Sequence, residues 1–147
     1  MTVNLVENSL RFSNGKRLTG NIYLRWEDVS FPEEDWNDFV DVVLLWWWDA
    51  LVGLKEGAGG CELRFMDGPF WVRMTKVTDV ACEMEFVDGR KPANNMRTFE
   101  ADADELRQSL KRSIQKLLRH AAKSGWETSE LDSLRERLGE AADGYLK

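Results

Sequence analysis

The stretch that decides the fold covers residues 30–55 and reads SFPEEDWNDFVDVVLLWWWDALVGLK. It opens with a Ser that can accept a hydrogen bond from a helix amide, a Pro suited to the first helical turn, and Glu33, which can reach back to the cap. We therefore predict a helix that begins at 30–33 and runs to about Lys55. It should end in the sequence GAGG at 57–60, because fixing glycines in a helix costs conformational entropy.

Apolar side chains occupy most of this predicted helix. At about 100° per residue, one broad half collects the side chains expected to form the core. They are Trp36, Phe39, Val40, Val43, Leu44, Trp46, Trp47, Ala50, Leu51 and Leu54. The other half mixes carboxylates with apolar side chains, namely Asp38, Asp41, Val42, Leu45, Trp48, Asp49 and Val52. Three consecutive Trp side chains fan across about 200° of the helix, so one core face cannot take all three, and Trp48 is predicted to lie outside it.

Short segments on both sides of this helix predict strands. Asn14-Gly15 favours a tight hairpin turn with positive φ angles, and 21–29 alternates between apolar and polar residues as a half-buried strand does. Further strands are predicted at 61–66, 70–76, 81–87 and 96–100.

Two more helices are predicted towards the C-terminal end. Asp102, with Glu105 three residues later, predicts a capped helix start, and Gly125 predicts the end of that helix. A last helix should begin at about Ser129. The order of elements has no regular β-α-β alternation, which predicts one α+β domain over 1–147. We expect an antiparallel sheet of about five to six strands, with the long Trp-rich helix and both C-terminal helices packed on it.

The charge balance narrows the kinds of partner. The chain has 147 residues, 43 % of them apolar, and a net charge of −6, which argues against nucleic acid or an anionic membrane as partner. Between Glu27 and Leu54 there are eight carboxylates and no Lys or Arg.

The longest apolar run, at 42–48, is far shorter than the ~20 residues of a membrane-spanning helix. Residues 1–10 lack a signal-peptide pattern, so we expect a cytoplasmic protein.

No residue pattern predicts catalysis. Cys61 and Cys82 are expected to be reduced, structural thiols. His120, the one imidazole in the chain, is expected at the surface of a helix end with neither a nucleophile nor a zinc ligand beside it. Glu83 and Glu85 share a strand face that should point to solvent, where a carboxylate is a poor general acid. We therefore expect a protein that is not an enzyme and that has no cofactor and no metal.

Two interpretations of the mixed helix half remain open. In one, the C-terminal helices cover Trp48 and Leu45. In the other, Trp48 is an aromatic anchor ringed by carboxylates on a partner-binding surface. Asp41 and Asp49 favour the second interpretation. The helix dipole stabilises carboxylates only within the first turn, and both residues lie beyond it. The candidate partner-binding residues are Asp38, Asp41, Leu45, Trp48 and Asp49.

Part of the chain, from about residue 20 to 75, resembles immunity proteins, which are small bacterial proteins encoded beside polymorphic or contact-dependent toxins. The likeness lies in WEDVSFP at 26–32, WNDF at 36–39, LLWWW at 44–48 and LRFMDGPF at 63–70. It implies a cytoplasmic protein that binds and blocks one toxin domain, often a basic nuclease, without a cofactor. We therefore expect a protein that neutralises a cognate, basic toxin domain through an acidic and aromatic surface.

An acidic secretion chaperone is the alternative from a different class. Such a chaperone has a similar size and charge, but it holds an extended segment of its client in apolar grooves. The two expectations differ in what is bound. An inhibitor should bind a folded domain with an affinity that falls as salt rises, whereas a chaperone should bind an isolated extended peptide with little response to salt.

Overall fold

The computed structural model describes residues 1–91 and 97–146, with side chains described as far as residue 139. The α+β class agrees with the prediction. The elements in chain order are β1 (Thr2–Phe12), β2 (Leu18–Trp26), β3 (Val29–Phe31), β4 (Asn37–Asp38), α1 (Val40–Lys55), β5 (Gly60–Arg64), β6 (Phe70–Lys76), β7 (Ala81–Asp88), β8 (Thr98–Asp102), α2 (Ala103–Ser124) and α3 (Ser129–Leu146). The strand predicted at 96–100 is present as β8, while Met96 lies outside the described residues.

The strands form two antiparallel sheets instead of the one sheet predicted. In the first sheet, β2 pairs with β1 on one side and with β3 and β4 on the other. The second sheet has the order β5-β6-β7-β8. α1 packs against β2 and β5, one strand from each sheet. The described ranges contain two more strands than the largest number predicted, because β3 and β4 come from the segment that was predicted to open the helix.

The start of α1 is the largest departure from the prediction. The helix begins at Val40, not at 30–33, although its end agrees with the prediction. Phe31 and Asp38 pair with β2, and an amide of β2 donates to the carbonyl oxygen of Trp36 at 2.7 Å. Asp35 has a left-handed φ of 58°, which a right-handed helix cannot include. The first sheet therefore takes the backbone groups that a longer helix would have used.

The buried face of α1 is rotated from the predicted face towards the side that carries Asp41 and Trp48. Trp47 is fully buried, as predicted. Trp46, predicted to be in the core, is 44 % exposed, and Trp48, predicted to lie outside it, is only 7 % exposed. The reason is α3, which packs beside α1 and forms hydrogen bonds to Asp41 and Asp49 from its N-terminal end and its middle. The structure thus agrees with the interpretation in which the C-terminal helices cover Trp48.

α2 follows its sequence signals closely. The Asp102 carboxylate accepts hydrogen bonds from the amides of Asp104 at 2.8 Å and Glu105 at 3.2 Å, which confirms the predicted cap. Gly125 ends the helix with a left-handed φ of 72°, also as predicted. None of the described helices is both long and apolar enough to cross a membrane.

The outer edge of β1 is covered by α2. The Ser109 hydroxyl accepts a hydrogen bond from the amide of Val3 at 2.8 Å, and the Lys116 ammonium donates to the carbonyl of Leu5 at 3.2 Å. These side chains occupy backbone groups that would otherwise be free to pair with another strand. α2 therefore closes one edge of the first sheet while its apolar face joins the core.

The β1–β2 hairpin is present, but its turn differs from the one predicted. The amide of Ser13 donates to the carbonyl of Arg17 at 3.0 Å, and the amide of Lys16 donates back to Ser13 at 2.9 Å. The positive φ angle falls on Lys16, at 58°, and not on Asn14 or Gly15. The loop is longer than a two-residue hairpin turn, so the left-handed position moves towards β2.

Candidate functional site

An open groove of about 840 Å³ lies between β3 of the first sheet and β6 and β7 of the second. Its volume is within the range typical of natural ligand-binding clefts. Aromatic and proline side chains form its apolar surface, with charged residues around them. The described lining residues are Phe31, Pro32, Glu33, Trp36, Asp67, Gly68, Pro69, Phe70, Phe86, Asp88, Arg90, Lys91 and Arg97. We call this site the aromatic groove.

The apolar surface of the aromatic groove is a set of interlocking rings. Phe31 and Phe86 stack in parallel with their centroids 4.6 Å apart, which joins the first sheet to the second. Phe70 meets Phe31 edge to face at 5.9 Å and Trp36 at 5.2 Å. Edge-to-face and stacked pairs of this kind stabilise ring positions beyond simple burial. The rings that line the groove are therefore held in place by one another.

Asp38 holds the loop that forms one side of the aromatic groove. Its side chain is buried, with 1 % exposed, at the end of β4. The carboxylate accepts hydrogen bonds from the amides of Met66 at 3.1 Å and Asp67 at 3.2 Å, and from the indole of Trp36 at 3.0 Å. It also accepts from the amide of Phe39 at 2.7 Å, immediately before α1. One buried carboxylate thus ties the loop after β5 to the start of α1 and orients a groove-lining indole.

Two glycines allow the chain to pass close to these rings. Gly68 has a φ of 155°, and a Cβ atom built there would lie about 3.0 Å from the Phe70 ring and 3.1 Å from the Trp36 ring. A Cβ atom on Gly89 would lie 3.0 Å from the carbonyl oxygen of Pro69, to which the Gly89 amide donates at 2.7 Å. Any side chain at either position would crowd the groove. The site is therefore preformed by its backbone as well as by its rings.

An ion pair inside the aromatic groove fixes the position of one cation. The Arg90 guanidinium binds the Asp88 carboxylate through two hydrogen bonds, of 3.0 Å and 2.9 Å, and lies over the Phe70 ring at 5.0 Å from the centroid. Hydrogen bonds from the side chain and the amide of Arg90 lower the pKa of Asp88 to about 2. At neutral pH the Asp88 carboxyl group is therefore ionised, and both of its oxygens accept hydrogen bonds from Arg90.

Acidic loops lie next to the groove. We give the name acidic loops to the turns on either side of β3, whose carboxylates are all exposed: Glu27, Asp28, Glu33, Glu34 and Asp35. One of these carboxylates, Glu34, pairs with Arg25 at 3.2 Å, and another, Glu33, lines the groove. The prediction placed Glu33, Glu34 and Asp35 on the first turn of a helix. The structure places them on loops, where no helix dipole accounts for them.

The predicted partner-binding residues do not share one exposed surface. Asp38, Asp41 and Trp48 are buried, so the exposure that the prediction assumed for them is wrong. The Asp41 carboxylate accepts a hydrogen bond from the Thr128 hydroxyl at 2.8 Å, and Thr128 in turn caps α3 by accepting from the amide of Leu131 at 3.0 Å. Burial raises the pKa of Asp41 above its ordinary value. The Asp38 and Asp41 carboxylates therefore accept hydrogen bonds within the fold. These contacts account for their positions, which the dipole of the predicted helix does not explain.

Leu45 and Asp49 lie nearer the surface of α1. Leu45 is half-buried against the core, and Asp49 is exposed and accepts a hydrogen bond from the Arg137 guanidinium at 3.0 Å. Both residues lie on the side of α1 that faces α3, away from the lining of the aromatic groove. A binding role for these two residues stays a prediction.

His120 has a partner that its sequence neighbours do not reveal. Its Nδ1 atom lies 3.1 Å from a carboxylate oxygen of Glu7 on β1, and its ring packs on Trp126 with centroids 5.0 Å apart. This contact lowers the pKa of Glu7. His120 is half-buried, so the expected surface position is only partly right, and the contact joins α2 to the first sheet.

The two thiols are buried or half-buried and are not joined to each other. Burial raises the pKa of Cys61 to about 11, so this thiol stays protonated at neutral pH. A protonated thiol is a poor nucleophile, which agrees with the structural role expected for it. Within the described residues, no group of three or more His, Cys, Asp or Glu side chains is arranged to hold a metal ion.

Comparison of the chain with protein-family models, with curated proteins and with solved structures gave no significant match.

The aromatic groove was not predicted as a site from the sequence. Phe31 and Phe70 were noted only within the segments that resemble immunity proteins, and Trp36 was noted there and on the predicted core half of the helix. Two signals could have pointed to it: the sequence Asp67-Gly68-Pro69 between two strands, and the Asp88-Gly89 pair that ends another. Both are loop sequences flanked by aromatic residues. The pairing of the strands, which brings these loops together, was not available from the sequence.

Proposed function

We propose that this chain is a cytoplasmic binding protein that neutralises a cognate, basic bacterial toxin domain and is not an enzyme. One observation carries the proposal: exposed carboxylates on the acidic loops lie beside a preformed aromatic groove. Aromatic side chains are enriched at protein interfaces, and exposed carboxylates complement a cationic site, where they can take the place of the phosphates of a nucleic acid.

The two parts of this surface have different physical roles in the proposal. The carboxylates act at long range and attract a basic domain. At low salt this attraction increases the association rate constant towards about 10⁸ M⁻¹s⁻¹. The rings act at contact, because aromatic anchors in a desolvated pocket slow dissociation. The net charge of −6 adds to the same attraction.

The ionisation of Asp88 also supports binding over catalysis. A general acid at neutral pH needs a pKa raised towards 7. Arg90 shifts the pKa of Asp88 in the opposite direction, to about 2, and uses both carboxylate oxygens. Burial raises the pKa of Asp41, but this carboxyl group lies outside the groove lining and accepts a hydrogen bond from the Thr128 hydroxyl.

The test first identifies the gene next to the one that encodes this chain. A toxin-like domain found there is then co-expressed with the chain, and their binding kinetics are measured at several salt concentrations. We expect restored growth of the host, together with an affinity that falls as salt rises. Absence of both protection and binding would refute the proposal. Binding only to an isolated extended peptide, with little salt dependence, would instead identify a secretion chaperone.

A charge-reversal variant tests the acidic loops specifically. Glu33→Lys combined with Glu34→Lys and Asp35→Lys should slow association by about tenfold or more and flatten its salt dependence. The matched control reverses three exposed carboxylates elsewhere, at Asp79, Glu83 and Glu136, and so has the same net charge. Equal effects of the two variants would show that total charge, and not the acidic loops, attracts the partner.

A further inference from the structure

We propose that the aromatic groove binds one cationic side chain of the partner, an arginine or a lysine, beside the rings of Trp36 and Phe70. Glu33 and Asp67 would be its counter-charges. This inference rests on the proposed function and adds to it the chemical class of the anchoring residue.

The two rings form a corner that suits a cation. Their centroids are 5.2 Å apart and their planes meet at 76°, so the rings touch edge to face, and a group seated in the angle between the two planes would contact both rings. Cations are attracted to the faces of Trp and Phe rings, and sites for ammonium groups are built from such rings. The Trp36 indole is fixed by its bond to Asp38, so the corner does not need to form when a ligand arrives.

Arg90 shows that the groove already holds a guanidinium in this way. It lies over the Phe70 ring at 5.0 Å while Asp88 neutralises it. Glu33 and Asp67 both line the groove. Glu33 lies three residues before Trp36, and the amide of Asp67 binds the same Asp38 carboxylate as the Trp36 indole, so both residues belong to the Trp36 side. Neither forms an ion pair with another described residue. The Trp36 side thus has the same two components as the Arg90 site, an aromatic ring and a carboxylate, with no cation of the described chain bound to it.

The remaining charges restrict where the cation can bind. Lys91 and Arg97 enter the groove from the chain between β7 and β8, and they would repel a second cation there. The Trp36 side, with its carboxylates, is therefore the favourable position. Glu27 and Asp28, on the acidic loops but outside the groove lining, favour the approach of a cation without contacting it.

The experiment uses the full-length chain labelled with ¹⁵N and follows its indole N–H signals by NMR. The probe is a capped Gly-Arg-Gly peptide, and the reference is the same peptide with citrulline, which is neutral and has nearly the same shape. The signal of Trp36 is assigned from its loss in Trp36→Phe. We expect the arginine peptide to shift the Trp36 indole signal and the citrulline peptide to bind at least about tenfold more weakly.

Variants locate the counter-charges. Glu33→Gln combined with Asp67→Asn should weaken binding of the arginine peptide by about tenfold. The matched control, Glu83→Gln combined with Asp79→Asn, removes the same charge at exposed positions outside both the groove and the acidic loops, and should change binding by less than about twofold. Backbone amide spectra of both variants verify that they remain folded.

Three results would overturn the inference: no shift of the Trp36 signal at millimolar peptide, equal binding of the two peptides, or equal effects of the two variant pairs. The proposed function fails separately. If the arginine peptide binds as expected but the adjacent toxin domain is neither bound nor neutralised, the cation site stands without that function. If the toxin is neutralised equally well by the Glu33→Gln, Asp67→Asn variant, the function stands and the groove is not its anchor.

Discussion

α1 and α2 differ in how their apolar side chains are distributed around the helix. In α2, the buried residues follow one stripe that includes Leu106, Leu110 and Ile114, and charged residues occupy the opposite side. α1 has apolar side chains on every side, with Asp41, Asp49 and Lys55 as its only charges. A helix with one apolar stripe can bury only that stripe, whereas a helix that is apolar all round takes its orientation from whatever packs on it. The orientation of α1 is therefore set by its neighbours, and the following variants test this difference.

Trp47→Ala should have the largest effect on stability. Trp47 is fully buried, and its indole donates a hydrogen bond to the carbonyl of Arg64 at 2.8 Å. Truncation leaves a cavity and an unpaired carbonyl group, so the free energy of unfolding should fall by about 5 kcal/mol. Urea denaturation followed by circular dichroism measures it. A loss below about 1 kcal/mol would contradict the described packing of α1 between the sheets.

Trp48→Ala should lower the free energy of unfolding by about 3 kcal/mol, because α3 covers this side chain. The matched control is Trp46→Ala, which removes the same kind of side chain two positions earlier, on the exposed side of α1. We expect that control to change stability by less than about 0.5 kcal/mol. If Trp46→Ala lowered the melting temperature more than Trp48→Ala did, the helix rotation predicted from the sequence would be the correct one.

Asp102→Ala tests the helix whose limits the sequence predicts. The side chain accepts two amide hydrogen bonds at the start of α2, so its loss should destabilise the protein by about 1 kcal/mol. Arg112→Ala, at an exposed position within the same helix, is the control and should be nearly neutral. Equal effects in a denaturation experiment would show that the cap has no particular role.

Asp41→Asn should have the smallest effect, and one that depends on pH. Burial raises the folded-state pKa of Asp41, so the native state retains a proton that the unfolded chain has already released. The stability that this group contributes is then complete below its unfolded pKa, about 3.9, and is lost as pH rises through the folded value. Because Asn does not titrate, the stability of the original protein relative to the variant should be greater at pH 4 than at pH 7. Denaturation midpoints at the two pH values provide the measurement, and a difference that grows with pH would contradict the raised pKa.

The candidate site was accessible to sequence analysis only through its composition. The excess of carboxylates between Glu27 and Leu54 correctly indicated an acidic region, and the aromatic residues nearby were visible. Their placement was wrong, because the segment was read as one helix. Asp38 illustrates the reason: it reads as a surface acid, yet its carboxylate binds the amides of Met66 and Asp67, far away in the sequence.

The sequence by itself determined the features that depend on residues close to one another along the chain. The α+β class follows from the order of periodic segments, the limits of α2 from Asp102 and Gly125, and the acidity from simple counting. The tertiary structure alone decided the division into two sheets, the rotation of α1 and the aromatic groove. The physical reason is that local signals act over a few residues, whereas β2 and α3 compete for the backbone and faces of 29–55 from distant positions. That competition turned the first part of a predicted helix into strands and exposed Trp46 in place of Trp48.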